Sequence, residues 1–149
     1  MSSLVFVTAD LHFSHRKVEA VRGIGWGAIV DRWNEVVTKR DVVYVLGDVF
    51  DLAPVCLLNG TKKLVLGNHD NKPLARYLDP GCFTRVMAMA EWDNCLLTHV
   101  PVHPGQRHRW RLNVHGHTHA HAIDDPWYRC ASLEQTDYRP VLLSKLARR

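Results

Sequence analysis

Five short stretches of this 149-residue chain set metal-ligand side chains just past an apolar run: Asp10 and His12, Asp48, Asn68 with His69, His99, and His117 with His119. Imidazole, carboxylate and amide oxygen make a nitrogen/oxygen donor set, which suits manganese, iron, zinc, nickel or cobalt better than calcium or magnesium. None of the four cysteines is among these side chains. Asp48, alone after Gly47, is the natural bridge between two divalent ions. Asp10, His12 and one histidine of the final pair would complete one ion; Asn68, His99 and the other histidine would complete the second. Ions held roughly 3.5 to 4 Å apart lower the pKa of a bound water and clamp the oxygens of an in-line displacement, a geometry that fits phosphoryl chemistry. Because ligand histidines must be neutral, acid should release the metal and inactivate the protein.

His69 directly follows Asn68, so on an extended segment it would face away from that ligand and toward a substrate. A histidine there could protonate a departing oxygen, a contribution of ~10²–10⁴ in rate. Asp70 is the candidate to hold its ring, as carboxylates often do for imidazoles.

These side chains need elements to aim them. Side chains two apart on an extended backbone point the same way, so Asp10/His12 and His117/His119 should each converge. The runs at 4–8, 42–46, 63–66, 95–98 and 112–114 are short, rich in Val and Leu, and bounded by Gly, Asp or Asn, the pattern of strands covered on both faces. Lying side by side, they would bring their carboxyl ends to one rim, where ligands bind in open α/β sheets.

Residues 13–27 read as a loop over that crevice. Ile29, Trp33, Val36 and Val37 recur at helical spacing, so an amphipathic helix should pack Trp33 on the sheet and end at Asp41. Asn71 reads as the N-cap of a short helix through Leu78. Residues 85–92 and 94–98 form adjacent strands around Asp93, and 128–133 and 140–143 are further strands. The basic loop 101–110, with His103, Arg107, His108, Arg109 and Trp110, is equally a phosphate or nucleobase contact and a solvated surface. His15 reads as a hydrogen-bonding or loop residue rather than a ligand.

The length suits one compact domain, residues 1–149, without a substrate-capping domain, so the site should be open. A formal net charge of +4 favours an anionic substrate only mildly. Scattered cysteines and no signal peptide point to a reduced, cytoplasmic setting, with Cys56 and Cys95 as core residues. No apolar run nears the ~20 residues of a membrane span.

Asp10-Leu11-His12, Gly47-Asp48, Gly67-Asn68-His69-Asp70, the lone His99 and Gly116-His117-Thr118-His119 resemble, in order, the five motifs of the calcineurin-like metallophosphoesterases. The match spans residues 10 to 119. The run from Asp10 to His15 and the ending Glu134-Gln135-Thr136-Asp137-Tyr138 are similar to the small, single-domain, mycobacteriophage-type members. The resemblance implies a mixed α/β fold: a four-layer α/β/β/α sandwich of two mixed sheets flanked by helices, with the metal site at strand carboxyl ends. It implies Asp10, His12, Asp48 and His119 on a first ion, and Asp48, Asn68, His99 and His117 on a second. It also implies His69 as the catalytic histidine and manganese or iron as the usual metals.

One departure narrows the substrate. Protein phosphatases of that family read Gly-Asp-x-x-Asp-Arg-Gly, whose arginine grips a dianionic phosphate; here Asp51 is followed by Leu52 and Ala53. They also carry glutamate where this chain has Asp70. The expectation is therefore a phosphodiesterase acting on nucleotides such as 2',3'-cyclic nucleotides by in-line attack of a metal-bridging hydroxide. It would use two divalent ions, manganese first among iron, nickel and zinc. Short nucleic acid is a further candidate substrate, and neither a membrane nor an obligatory protein partner is expected; a phage-encoded chain would work in the host cytoplasm. The alternatives are a phosphomonoesterase or nuclease of the same fold, or a non-catalytic scaffold.

Overall fold

The computed structural model describes residues 2–148. The strands β1 (Val5–Thr8), β2 (Val42–Val45), β3 (Thr61–Val65) and β4 (Arg85–Met87) run parallel, with β9 (Val141–Leu142) antiparallel beside β1, in the order β4-β3-β2-β1-β9. A second sheet, in the order β5-β6-β7-β8, pairs β5 (Ala90–Trp92) antiparallel with β6 (Cys95–Thr98). It continues parallel through β7 (Leu112–His115) and β8 (Tyr128–Cys130). Both sheets are mixed, as expected.

The five strands that lead to the candidate ligands therefore do not lie side by side in one sheet. Three are in the first and two in the second. In-phase registers compensate: Thr8 pairs with Val45 and Val45 with Leu64, while Thr98 pairs with His115. Within each sheet the strands thus end at one level. A bridge between Ala9 and Ser132 joins the two sheets at that edge.

Two cores hold the layers together. Phe6, Val43, Val45 and Leu64 project from one face of the first sheet onto Ile29, Val30 and Trp33 of α2 (Trp26–Val36). Trp33 is fully buried, as its spacing predicted, and its indole N–H donates to the Asn59 carbonyl at 3.0 Å. Val7, Leu46 and Val65 on the other face meet Cys95, Leu97, Leu112 and Val114 of the second sheet, with Leu143 of α4 (Leu143–Leu146) closing the edge. The outer layer on the second sheet is reduced to the loop after β6, with one 3₁₀ turn at Pro104–Gln106. Asn113 pins that loop by accepting the Val102 N–H at 2.9 Å.

Several local expectations change. Residues 13–27 contain a helix, α1 (Arg16–Arg22), capped by His15 and ended by left-handed Gly23; it has no buried residue, so hydrophobic periodicity could not reveal it. α3 (Leu74–Tyr77) is capped by Pro73 rather than Asn71, because the residue before a proline, here Lys72, is kept out of the helical region. Residues 85–92 divide into β4 and β5, which belong to different sheets. Asp93 and Asn94, both at positive φ, make the tight β5–β6 hairpin. Cys56 is exposed on a 3₁₀ turn rather than in the core, whereas Cys95 is buried. Among the described residues, no helix is long and apolar enough to cross a membrane.

Candidate metal centre

At the common edge, Asp10, His12 and His119 form one group with ligand atoms within 4.8 Å of one another, and Asp48, His99 and His117 form a second. Each group could hold a metal ion. Asp48 lies between them: its Oδ2 is 3.5 Å from His12 Nε2 and 3.4 Å from His99 Nε2. Asn68 joins the second group, with Oδ1 2.8 Å from His99 Nε2 and 3.1 Å from His117 Nδ1. The structure thus brings together all seven side chains that the sequence singled out as ligands.

The reason for the convergence differs from the expected one. Asp10, His12, Asp48, His117 and His119 are not extended; their φ angles are 60°, 45°, 59°, 71° and 50°. A non-glycine residue in this left-handed region costs roughly 1–3 kcal/mol, and such strain clusters where a constellation must be held. The intervening Leu11 is fully buried, anchoring the turn between Asp10 and His12. Glycine serves close approach nearby. A Cβ at Gly67 would stand 2.3 Å from Asp48 Oδ1, and one at Gly47 would stand 2.6 Å from Gly67 Cα.

Proton placement fits cation binding. The Leu46 carbonyl can only accept, so His99 Nδ1 donates to it at 2.6 Å and Nε2 faces Asp48, carrying a proton in the charged ring and a free lone pair in the neutral one. His119 Nδ1 likewise donates to Glu134 Oε1 at 2.9 Å, leaving Nε2 toward Asp10. His12 is buried with no hydrogen-bond partner on either nitrogen, and burial holds its pKa down at about 4, so it is a neutral donor. An orphaned imidazole nitrogen beside two buried carboxylates is what an ion-binding pocket requires, and a poor arrangement without an ion.

The carboxylates differ. Burial raises the pKa of Asp10, against the Ser132 hydroxyl that donates to its Oδ2 at 2.5 Å. Asp48 is also buried, yet hydrogen bonds from the His99 ring and the His69 N–H outweigh desolvation and hold it down at about 2. Glu134 stays ionised for a similar reason: bonds from His119 and Arg22 overcome burial, to about 2.

His69 is exposed in a turn at the rim, its ring centroid 5.4 Å from that of His12. Asp70 does not hold it. The Asp70 carboxylate instead accepts the backbone N–H groups of Asp48 (2.8 Å), Gly67 (2.8 Å) and Val49 (2.9 Å), because the tight Gly67–Asp70 turn points it back beneath the loops. His15 caps α1 through Nδ1 and packs against Phe50. The basic loop stands elsewhere. Arg111 precedes β7 and bonds Asn94 before β6, so Arg107 to Trp110 lie toward the amino ends of these strands, opposite the ligand edge.

Ser132, Glu134 and Arg22 were not anticipated as site residues. A carboxylate in the segment 134–138 was the only available signal, and it gave no hint of direction.

Comparison with known proteins matches this picture to phage relatives. The chain is 32% identical to the Gene 66 protein of Mycobacterium phage D29, over 81% of each chain. It belongs to the family of the mycobacteriophage gene 66 proteins. The gene 66 relative from Mycobacterium phage L5 is 27% identical, over 81% of this chain and 80% of that one. No family model matches the chain. Among solved structures, a protein of unknown function from Aquifex aeolicus, AQ665, superposes with a TM-score of 0.75 at 20% identity, covering 97% of this chain and 98% of the other. That likeness shows a shared fold.

Proposed function

We propose that this member of the gene 66 family is a calcineurin-like, dinuclear-metal phosphodiesterase acting on nucleotides such as 2',3'-cyclic nucleotides. The observation that carries the reading is Asp48 Oδ2, placed within 3.5 Å of a histidine nitrogen from each ligand group. Asp10, His12 and His119 would hold one ion, Asn68, His99 and His117 the other, and Asp48 both. The donors are nitrogen and oxygen only, so manganese is the first candidate, with iron, nickel and zinc behind it. Ions so held would acidify a water and offset the charge that builds on phosphoryl oxygens.

The chain's own residues supply the rest. His69, exposed at the rim with its backbone N–H bonded to Asp48, would give a proton to the departing oxygen. Asp70 sets the Asp48 loop against the Asn68–His69 turn and so acts through position. Leu52, where protein phosphatases carry an arginine, is buried in the first core, which disfavours a dianionic monoester.

Apoprotein should be reconstituted separately with Mn, Fe, Ni, Zn and Mg. Each form is then assayed on a monoester, a linear diester, 2',3'- and 3',5'-cyclic nucleotides, and single-stranded DNA. Diester turnover highest with Mn is expected. A strong monoester preference would overturn the substrate, and no metal binding would overturn the reading itself.

A further inference from the structure

Arg22 is unusual for its surroundings. It is the last residue of α1, a helix without a buried residue, yet its side chain is only 3% exposed. All three of its donor nitrogens are directed at the metal centre. Nη2 donates to the Asp10 carbonyl at 2.6 Å, Nη1 to the Leu11 carbonyl at 3.0 Å, and Nε to Glu134 Oε1 at 2.7 Å. The same Glu134 oxygen accepts from His119 Nδ1 at 2.9 Å.

We infer that Arg22 and Glu134 are positioning residues for the Asp10/His12/His119 ion: one guanidinium and one carboxylate fix the left-handed turn carrying two ligands and the ring of the third. This rests on the dinuclear reading above. The planar guanidinium suits the task, since it presents several donors in a rigid fork and stays charged. Asp10 and His12 sit at φ 60° and 45°, conformations that persist only when neighbours over-determine them. Bonds to the carbonyls of Asp10 and Leu11 supply that constraint. Glu134 fixes the His119 tautomer with Nε2 free, as carboxylate partners of ligand histidines do.

The other ion position is held differently. His99 is set by the Leu46 carbonyl and the His117 ring by contact with Asn68, neither of which touches Arg22 or Glu134; the His117 ring is thus held apart from the clamp, although its backbone N–H donates to Asp10 Oδ2 at 2.9 Å. The clamp should therefore act on one ion of the two. A simple staple tying α1 to the chain would lower stability without this selectivity.

The test is a Mn²⁺ titration of full-length apoprotein by calorimetry, with free Mn²⁺ read by electron paramagnetic resonance. It compares wild type, Glu134→Ala, Glu134→Gln, Arg22→Met and the Arg22→Met/Glu134→Ala double variant. The same substitutions are repeated with His117→Ala, which removes a ligand of the other ion. Loss of an outer partner costs ~10–100-fold in metal affinity, so each single variant should weaken one ion by that factor and leave the other within about twofold. Glu134→Gln keeps the shape and an acceptor oxygen, so it should fold and fall between wild type and alanine. The double variant should bind more weakly than either single but less weakly than their combined factors, since the two residues share one bond and act on different ligands. Equal weakening of both ions alongside a lowered Tm, or no weakening of either, would overturn the clamp alone. Wild type that binds no Mn²⁺ would overturn the dinuclear reading and the clamp with it.

Discussion

The backbone N–H of Asp48 donates to the carboxylate of Asp70 at 2.8 Å, tying the loop after β2 to the turn after β3. The same carboxylate takes two further backbone N–H groups, from Gly67 and Val49, so it organises the floor of the centre. Leaving buried donors without acceptors costs about 1–3 kcal/mol each. Asp70→Ala should therefore lower the unfolding free energy by about 2–4 kcal/mol and weaken metal binding, as read by urea denaturation and metal titration. Asp70→Asn, with one remaining acceptor oxygen, should lose less. If Asp70 instead oriented His69, the Asn variant would lose turnover while keeping stability and metal affinity.

Close packing around Asp48 leads to a second expectation. The space beside Gly67 is already taken by Asp48 Oδ1 and N, at 2.3 and 2.5 Å from an added Cβ. Gly67→Ala must displace the carboxylate or the loop, and overpacking of this kind typically costs about 1–3 kcal/mol. We expect a lower Tm and loss of high-affinity metal binding. Gly25→Ala is the control, since a Cβ there meets nothing within 4 Å. Equal behaviour of the two variants would remove Gly67 from the account of the site.

These contacts show what the sequence could and could not reveal. The seven candidate ligands were legible because each follows an apolar run, and in-phase parallel strands deliver whatever follows them to one edge. Trp33 was legible from helical spacing. The left-handed turns at Asp10 and His117 were not, since aspartate and histidine have no obligatory preference for that region. α1 was hidden because it buries nothing and is held by Arg22, a polar anchor that leaves no period. Asp70 was misjudged because adjacency to His69 suggested a partner, whereas the Gly67–Asp70 turn directs its carboxylate to three backbone donors across the fold.

Asp41 offers a pH test away from the centre. Buried at the start of β2, its carboxylate accepts the Leu4 N–H at 2.9 Å and both the N–H and hydroxyl of Thr38, at 2.7 and 2.8 Å. The Leu4 bond foremost, with those from Thr38, holds its pKa below the ordinary 3.8 despite burial. A carboxyl depressed by folding adds stability that is fully present above its unfolded pKa and lost as pH falls through the folded one. Hydrogen bonds to a charged group are worth about 1.5–3 kcal/mol, so Asp41→Ala should lose about 2 kcal/mol at pH 7. Urea melts of variant and wild type should converge as the pH falls below the ordinary 3.8 and through the lowered folded-state pKa. A difference that persists undiminished in acid would mean that the charge is not what stabilises this corner.

His69 carries the sharpest prediction about chemistry. Its backbone is fixed by Asp48, but its ring is exposed at the rim, near His12 and outside both ligand groups. Removing the ring should therefore spare metal binding and Tm. If it donates a proton, the loss should track the leaving group's need for one. His69→Ala should lower kcat/KM by ~10²–10⁴ for diesters that expel an alkoxide, and by less than about tenfold for nitrophenyl esters, whose leaving group departs as a stable anion. Equal losses on both ester types would leave His69 a role in stabilising transition-state charge and remove it as the proton donor.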